Sequence, residues 1–102
     1  MDYFLVTARD AEDEGAFDRR MGARADHLAA LERLKAEGTV RFALATVGQD
    51  GRLNGSVMVF ACKDQAEADR LVRQDPYVAA NVWGAITIQP CRIAPLFDKP
   101  SK

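Results

Sequence analysis

Two stretches decide the fold: Tyr3-Phe4-Leu5-Val6 near the start of the chain and Val57-Met58-Val59-Phe60 in its middle. Successive side chains of a strand point to opposite sides, so a strand covered on one face alternates apolar with polar residues. Both parities are apolar here, and both strands are expected to be buried on both faces. The first stretch extends to a strand over Tyr3 to Ala8, followed by an acidic loop, Ala11 to Gly15, and a helix from about Phe17 to Glu37. Gly38 behind Lys35-Ala36-Glu37 is the usual left-handed stop. A second strand covers Val40 to Val47. Gly48-Gln49-Asp50-Gly51 and Asn54-Gly55 have turn chemistry, so the third strand, Ser56 to Cys62, should form a hairpin with the second. Asp64 with Glu67 three residues later resembles a capping box and starts a helix over about Asp64 to Arg73. Asp75-Pro76, a capping side chain before a proline, predicts a separate short turn over Pro76 to Ala80. Val82 to Ile93 is the last strand and Pro95 to Lys102 a polar tail.

The order β-α-β-β-α-(α)-β has two right-handed crossovers and one hairpin, which places strands one and three at the centre of an antiparallel sheet with the helices on one face. That is an α+β, ferredoxin-like arrangement. The helices account for one side of the doubly apolar strands. Nothing else in the chain covers the other, so the sheet of a second subunit is the expected cover, giving a homodimer through that face. Cys62 and Cys91 fall on strands separated by strand one, about 10 Å apart at two inter-strand spacings, too far for a disulfide.

The chain has 102 residues, 48% apolar and 28% charged, values that fit one globular domain over 1–102. A net charge of -1 excludes a general electrostatic footprint for nucleic acid or an acidic membrane. The N-terminus lacks the basic start and apolar run of a signal peptide, and no stretch approaches a membrane span. A cytoplasmic protein with reduced thiols is expected. No second Cys or His stands at metal-ligand spacing from either cysteine, and no metal site is suggested.

The first helix holds the candidate chemistry. At about 100° per residue with Leu31 at zero, Leu34, Phe17, Leu28 and Met21 form an apolar stripe. His27, Arg20 and Arg24 fall inside that stripe. Three such groups cannot all be buried unpaired, because desolvating a charge is costly. Snorkelling arginines and one hydrogen-bonded histidine are the plain alternative. The interruption of the stripe at one place is what marks a site. Asp75 is the carboxylate in question, although its capping role alone accounts for it. A carboxylate beside an imidazole sets its tautomer and suits it to general acid–base work near neutral pH. Tyr77 and Trp83 are amphipathic aromatics close by; packing is their default role, with Tyr77 also a candidate to contact a ligand. Gly48 to Gly51 precedes no helix and reads as a turn rather than a phosphate loop. Ser56 reads as a hydrogen-bonded strand serine. Asp10, Glu12, Asp13 and Glu14 read as a solvated acidic loop.

Arg24-Ala25-Asp26-His27-Leu28-Ala29-Ala30-Leu31, Gly38, Gly55-Ser56, Ala66, Ala68 and Asp75-Pro76-Tyr77-Val78-Ala79-Ala80 together resemble the YciI-like family, also called the YCII-related domain. The resemblance covers nearly the whole chain. It implies the dimeric α+β-barrel form of the ferredoxin-like fold, similar to muconolactone isomerases, with His27 and Asp75 at the active site. Two positions depart from the family. Its Ala-Gly-Pro in strand two is Ala43-Leu44-Ala45 here, and its Gly after the Asp-Pro-Tyr segment is Asn81. Leu44 adds bulk at a ligand's point of entry, so pocket size and substrate class are expected to differ.

The functional expectation is a small enzyme that performs cofactor-free proton transfer on a small organic molecule, such as a cyclic or aromatic one, with isomerase, lyase or dehydrochlorinase chemistry. His27 moves the proton and Asp75 orients it. Arg24, with Arg20, holds an anionic group of the substrate. The alternative is a non-catalytic dimeric module that holds a metabolite in the same cavity.

Overall fold

In the computed structural model, residues 2–98 are described. They form β1 (Asp2–Asp10), α1 (Ala16–Ala36), β2 (Val40–Val47), β3 (Leu53–Cys62), α2 (Gln65–Arg73), α3 (Pro76–Ala79) and β4 (Trp83–Cys91). The antiparallel sheet runs β2-β3-β1-β4, with the two doubly apolar strands side by side at its centre. Phe4 stands opposite Phe60 and Val6 opposite Met58. These side chains and Ala8 pack with Ala68 and Val72 of α2, Tyr77 of α3, Val82 and Trp83, so the core lies between the sheet and the helices on one of its faces. On the opposite face Leu5 pairs with Val59, and Phe42 and Leu44 stand beside Val59 and Val57. That face is only partly covered: Phe42 is 60% exposed.

The end signals work as their chemistry requires. Gly38 adopts φ +80° and closes α1 with Gly38 N–H to Lys35 O and Thr39 N–H to Leu34 O, the paired bonds of a Schellman motif. Asp64 caps α2 by accepting from Glu67 N–H at 2.9 Å. The reciprocal arm goes elsewhere, since Glu67 accepts from Lys63 N–H rather than from the capping residue. Asp75 caps α3 by accepting from Tyr77 N–H at 2.8 Å.

Three expectations need correction. Asn54-Gly55 lies inside β3, and the hairpin turns over 48–52, where Gly51 takes φ +83° and Asp50 accepts from Arg52 N–H. Gly55 serves close approach instead: a Cβ there would stand 2.6 Å from Thr46 Oγ1 and 2.9 Å from Ala8 O. The buried face of α1 is also rotated from the leucine stripe. Ala16, Arg20, His27 and Ala30 are buried, whereas Met21 and Leu28 are 46% and 44% exposed. Small alanines share the packed face with Leu31 and Leu34, and Leu28 is left beside a cavity. Lastly, residues 95–98 are no loose polar tail. They turn back so that Asp98 accepts from Tyr3 Oη–H and Arg41 Nη2–H, with Leu96 and Phe97 exposed; residues 99–102 lie outside the described residues.

Cys62 and Cys91 are unpaired thiols. Burial pushes the pKa of each upward. No helix among the described residues is long and apolar enough to cross a membrane.

Candidate active site

The site grows from α1, whose buried face carries Arg20 and His27 among its alanines. Arg20 is 2% exposed, and its two terminal nitrogens meet polar partners as burial demands, while its Nε has none among the described residues. Its Nη1 donates to Asp10 Oδ1 at 2.7 Å, and its Nη2 donates to Gly55 O at 3.0 Å and Ser56 Oγ at 3.1 Å. Its guanidinium carbon lies 4.8 Å from the Tyr77 ring centroid. Asp10 therefore does not belong to the solvated loop: it ends β1, half-buried, with its carboxylate against Arg20. Burial pushes its carboxyl pKa up, with the guanidinium opposing. The acidic run around it hid this partner. The signal that finds it is the buried arginine, which requires a carboxylate, and the strand register, which carries β1 two residues further than its apolar core. Of the remaining loop acids, Asp13 pairs with Arg19, and that bond chiefly holds its pKa down at about 2.

Two turns along α1, His27 faces the capping residue of α3. His27 Nδ1 lies 2.8 and 2.9 Å from the two Asp75 carboxylate oxygens. A carboxylate only accepts, so Nδ1 carries a proton, and the lone pair of the neutral imidazole is then on Nε2. The imidazole lies flat on the Tyr77 ring, with centroids 4.0 Å apart at 12°, and edge-on to Trp83. His27 and Asp75 are both buried. Asp75 thus has two duties, because Oδ1 also accepts from Tyr77 N–H. Burial pushes the Tyr77 hydroxyl pKa up, while Arg20 and Arg24 oppose it.

A cavity of about 140 Å³ opens between α1 and the β2–β3 hairpin. Arg20, Arg24, His27, Ser56 and Tyr77 form its polar wall, and Leu28, Leu31, Ala43, Leu44, Ala45, Leu53 and Met58 form the apolar one. Its volume is close to the roughly 150 Å³ that accepts one benzene ring. His27 Nε2 has no hydrogen-bond partner among the described residues. Arg24 is exposed and likewise forms no ion pair there, whereas both terminal nitrogens of Arg20 are committed to the protein. All five residues singled out from the sequence thus lie together: His27, Tyr77, Arg20 and Arg24 in the cavity wall, and Asp75 directly behind His27. A larger open groove of about 1200 Å³, beside Phe42, Val59 and Phe97, contains none of them.

Residues 1–92 match the YCII-related domain. The chain belongs to that family. A solved structure with a similar fold is the 5-chloro-2-hydroxyhydroquinone dehydrochlorinase of Burkholderia phenoliruptrix, in complex with 2,5-dihydroxybenzoquinone. It is 26% identical, with a TM-score of 0.77, over 90% of this chain and 95% of that one. A dimeric ferredoxin-like protein from Jannaschia shares the fold at 18% identity and a TM-score of 0.50, over 91% of this chain and 100% of that one. An uncharacterized protein of Haemophilus influenzae is 27% identical over 98 residues, 86% of this chain and 94% of that protein. The two departures in this YCII-related chain have separate consequences. Leu44 borders the cavity from β2, but it pairs with Val57 and alternates to the opposite face of the sheet, where it is 46% exposed, so its bulk lies outside the cavity. Asn81 adopts φ +58° with Val82 N–H bonded to Tyr77 O, so it fills the left-handed position after α3 that asparagine tolerates best after glycine.

Proposed function

We propose that this protein is a cofactor-independent enzyme that uses His27 and Asp75 to move protons on a small hydroxylated ring, in a dehydrochlorination or a related elimination or isomerisation. The observation that carries this reading is the imidazole held by a buried carboxylate at Nδ1, with Nε2 unpartnered in the wall of a cavity of one-ring size. Likeness to a dehydrochlorinase at 26% identity supports the substrate class. Arg24 binds an anionic ring oxygen, Tyr77 supports the imidazole by stacking and contacts the ring, and Arg20 stiffens the wall behind it.

The chemistry is balanced without a redox partner. From a chlorinated hydroxyhydroquinone, one hydroxyl proton moves to the chlorine-bearing ring carbon, chloride leaves with the C–Cl electron pair, and a second hydroxyl proton is released. A hydroxyquinone remains, so the ring's oxidation and the loss of chloride offset each other within one molecule. His27 Nε2 accepts the hydroxyl proton and returns it to carbon. Asp75 stabilises the imidazolium in between, and the proton transfer by His27 is of a kind typically worth about 10²–10⁴ in rate.

The working form is a homodimer of this one-domain chain, closed over Leu5, Val57, Val59 and Phe42. Contiguous apolar faces of this kind commonly mark an interaction surface. The unpaired thiols fit a reducing, cytoplasmic setting.

Chloride release from 5-chloro-2-hydroxyhydroquinone tests the reading. Wild type releases chloride faster than buffer, and His27→Ala loses that acceleration while still binding the ring. Binding without turnover that depends on Arg24 and not on His27 would replace the enzyme with a binding module.

A further inference from the structure

Ser56 lies in the cavity wall, and its hydroxyl is more constrained than a strand serine requires. Its oxygen accepts from Arg20 Nη2 at 3.1 Å and from Trp83 Nε1 at 3.2 Å. A serine hydroxyl has two acceptor lone pairs and one proton. Both lone pairs are taken by groups that can only donate. The described residues offer the proton no acceptor, although Ser56 is 2% exposed. A buried donor without a partner is unfavourable, so this proton calls for an acceptor inside the cavity.

We propose that Ser56 is an obligate hydrogen-bond donor into the cavity and that it binds a carbonyl or anionic oxygen of the ligand. Two features make it a directed donor rather than a rotating hydroxyl. Arg20 is fixed by Asp10 and Gly55 O, and Trp83 is fixed in the core, so neither lone pair is free to turn. Bonds from a guanidinium and an indole N–H also polarise the O–H group and strengthen its own donation. Ser56 therefore discriminates for oxygen at one point of a cavity whose other wall is apolar, and Arg20 and Asp10 act on the ligand through it as positioning residues. A site built to pair a polar group rejects the analogue that lacks the matching one. The assignment rests on the preceding reading for the ring that carries the oxygen, but not for the direction of the proton.

Two measurements test it. Neutron diffraction from the ligand-free wild-type protein locates the hydrogen on Ser56 Oγ. It is expected to point into the cavity toward a solvent oxygen, and a hydrogen donated to a protein atom overturns the proposal. Titration with 2,5-dihydroxybenzoquinone, read from the indole N–H resonance of the chain's single tryptophan, Trp83, is then compared with titration by toluene. The quinone should shift that resonance, and Ser56→Ala should weaken its binding about ten- to a hundredfold. Toluene, which offers no oxygen, should bind wild type and Ser56→Ala alike, which also shows that the variant is folded. Equal quinone affinity in the two proteins overturns the role of Ser56. Failure of wild type to bind the quinone overturns the proposed ligand class instead, and the neutron map still decides the donor.

Discussion

Asp75 holds two groups at once, the Tyr77 N–H that starts α3 and the His27 imidazole. Substitution can separate these duties. In Asp75→Asn the amide oxygen still accepts the cap bond, so urea unfolding should show a loss of no more than about 1 kcal/mol, while proton transfer falls at least tenfold because the imidazolium loses its counter-charge. Asp75→Ala removes the cap and leaves the buried Nδ1–H unpaired, and its loss should reach about 2–4 kcal/mol. Tyr77 gives a pH signature. Its folded-state pKa is raised by burial, so its contribution to stability is fully present below the unfolded value near 10 and is lost as pH rises through the folded value. Stability measured against pH should therefore fall above about pH 10 in wild type and fall less in Tyr77→Phe. His27 was legible in the sequence because it interrupts an apolar stripe, whereas Asp75, which its capping role before proline accounts for, was joined to it by the resemblance to the YCII-related domain. Asp10 and the donor role of Ser56 were not legible, because the first depends on a partner ten positions away on another element and the second on a lone-pair count that only coordinates supply.

Alternation and end signals located the elements because each rests on local chemistry, such as Gly38 at positive φ and Asp64 at a helix start. Asn54-Gly55 misled for the same reason: a glycine forced by close packing and a glycine forced by a turn look identical in a sequence. The stripe of α1 misled at one edge only: Leu31 and Leu34 pack against the core beside Ala23, while Met21 and Leu28 are left largely exposed. A pair of glycine substitutions tests this account. Gly55→Ala should destabilise by about 1–3 kcal/mol through overpacking against Thr46 and Ala8. Gly22→Ala meets nothing within 4 Å in the middle of α1 and should stabilise by about 0.5–1 kcal/mol. Thermal or urea unfolding of both proteins reads the opposite signs directly.

For the whole molecule, the doubly apolar strands carry the argument. One face of the sheet is buried under the helices, and the other leaves Phe42, Leu44 and half-buried Leu5, Val57 and Val59 to water. Sedimentation should give twice the 11.2 kDa chain mass at micromolar concentration. Val59→Glu should shift the protein to monomer, because a carboxylate at the centre of such an interface is buried without a partner. A folded wild-type monomer at the same concentration would remove the dimer from the account.

The central claim is that His27 moves a proton on a bound ring, and ring-proton exchange measures that step without any leaving group. The ring hydrogens of 2,5-dihydroxybenzoquinone exchange with D₂O through protonation at carbon, and NMR follows their loss. Wild type should accelerate this exchange over buffer, and His27→Ala, with quinone binding retained, should lower the acceleration by about 10²-fold or more. Equal exchange rates in wild type and His27→Ala, or no acceleration by a wild-type protein that binds the quinone, would contradict the account.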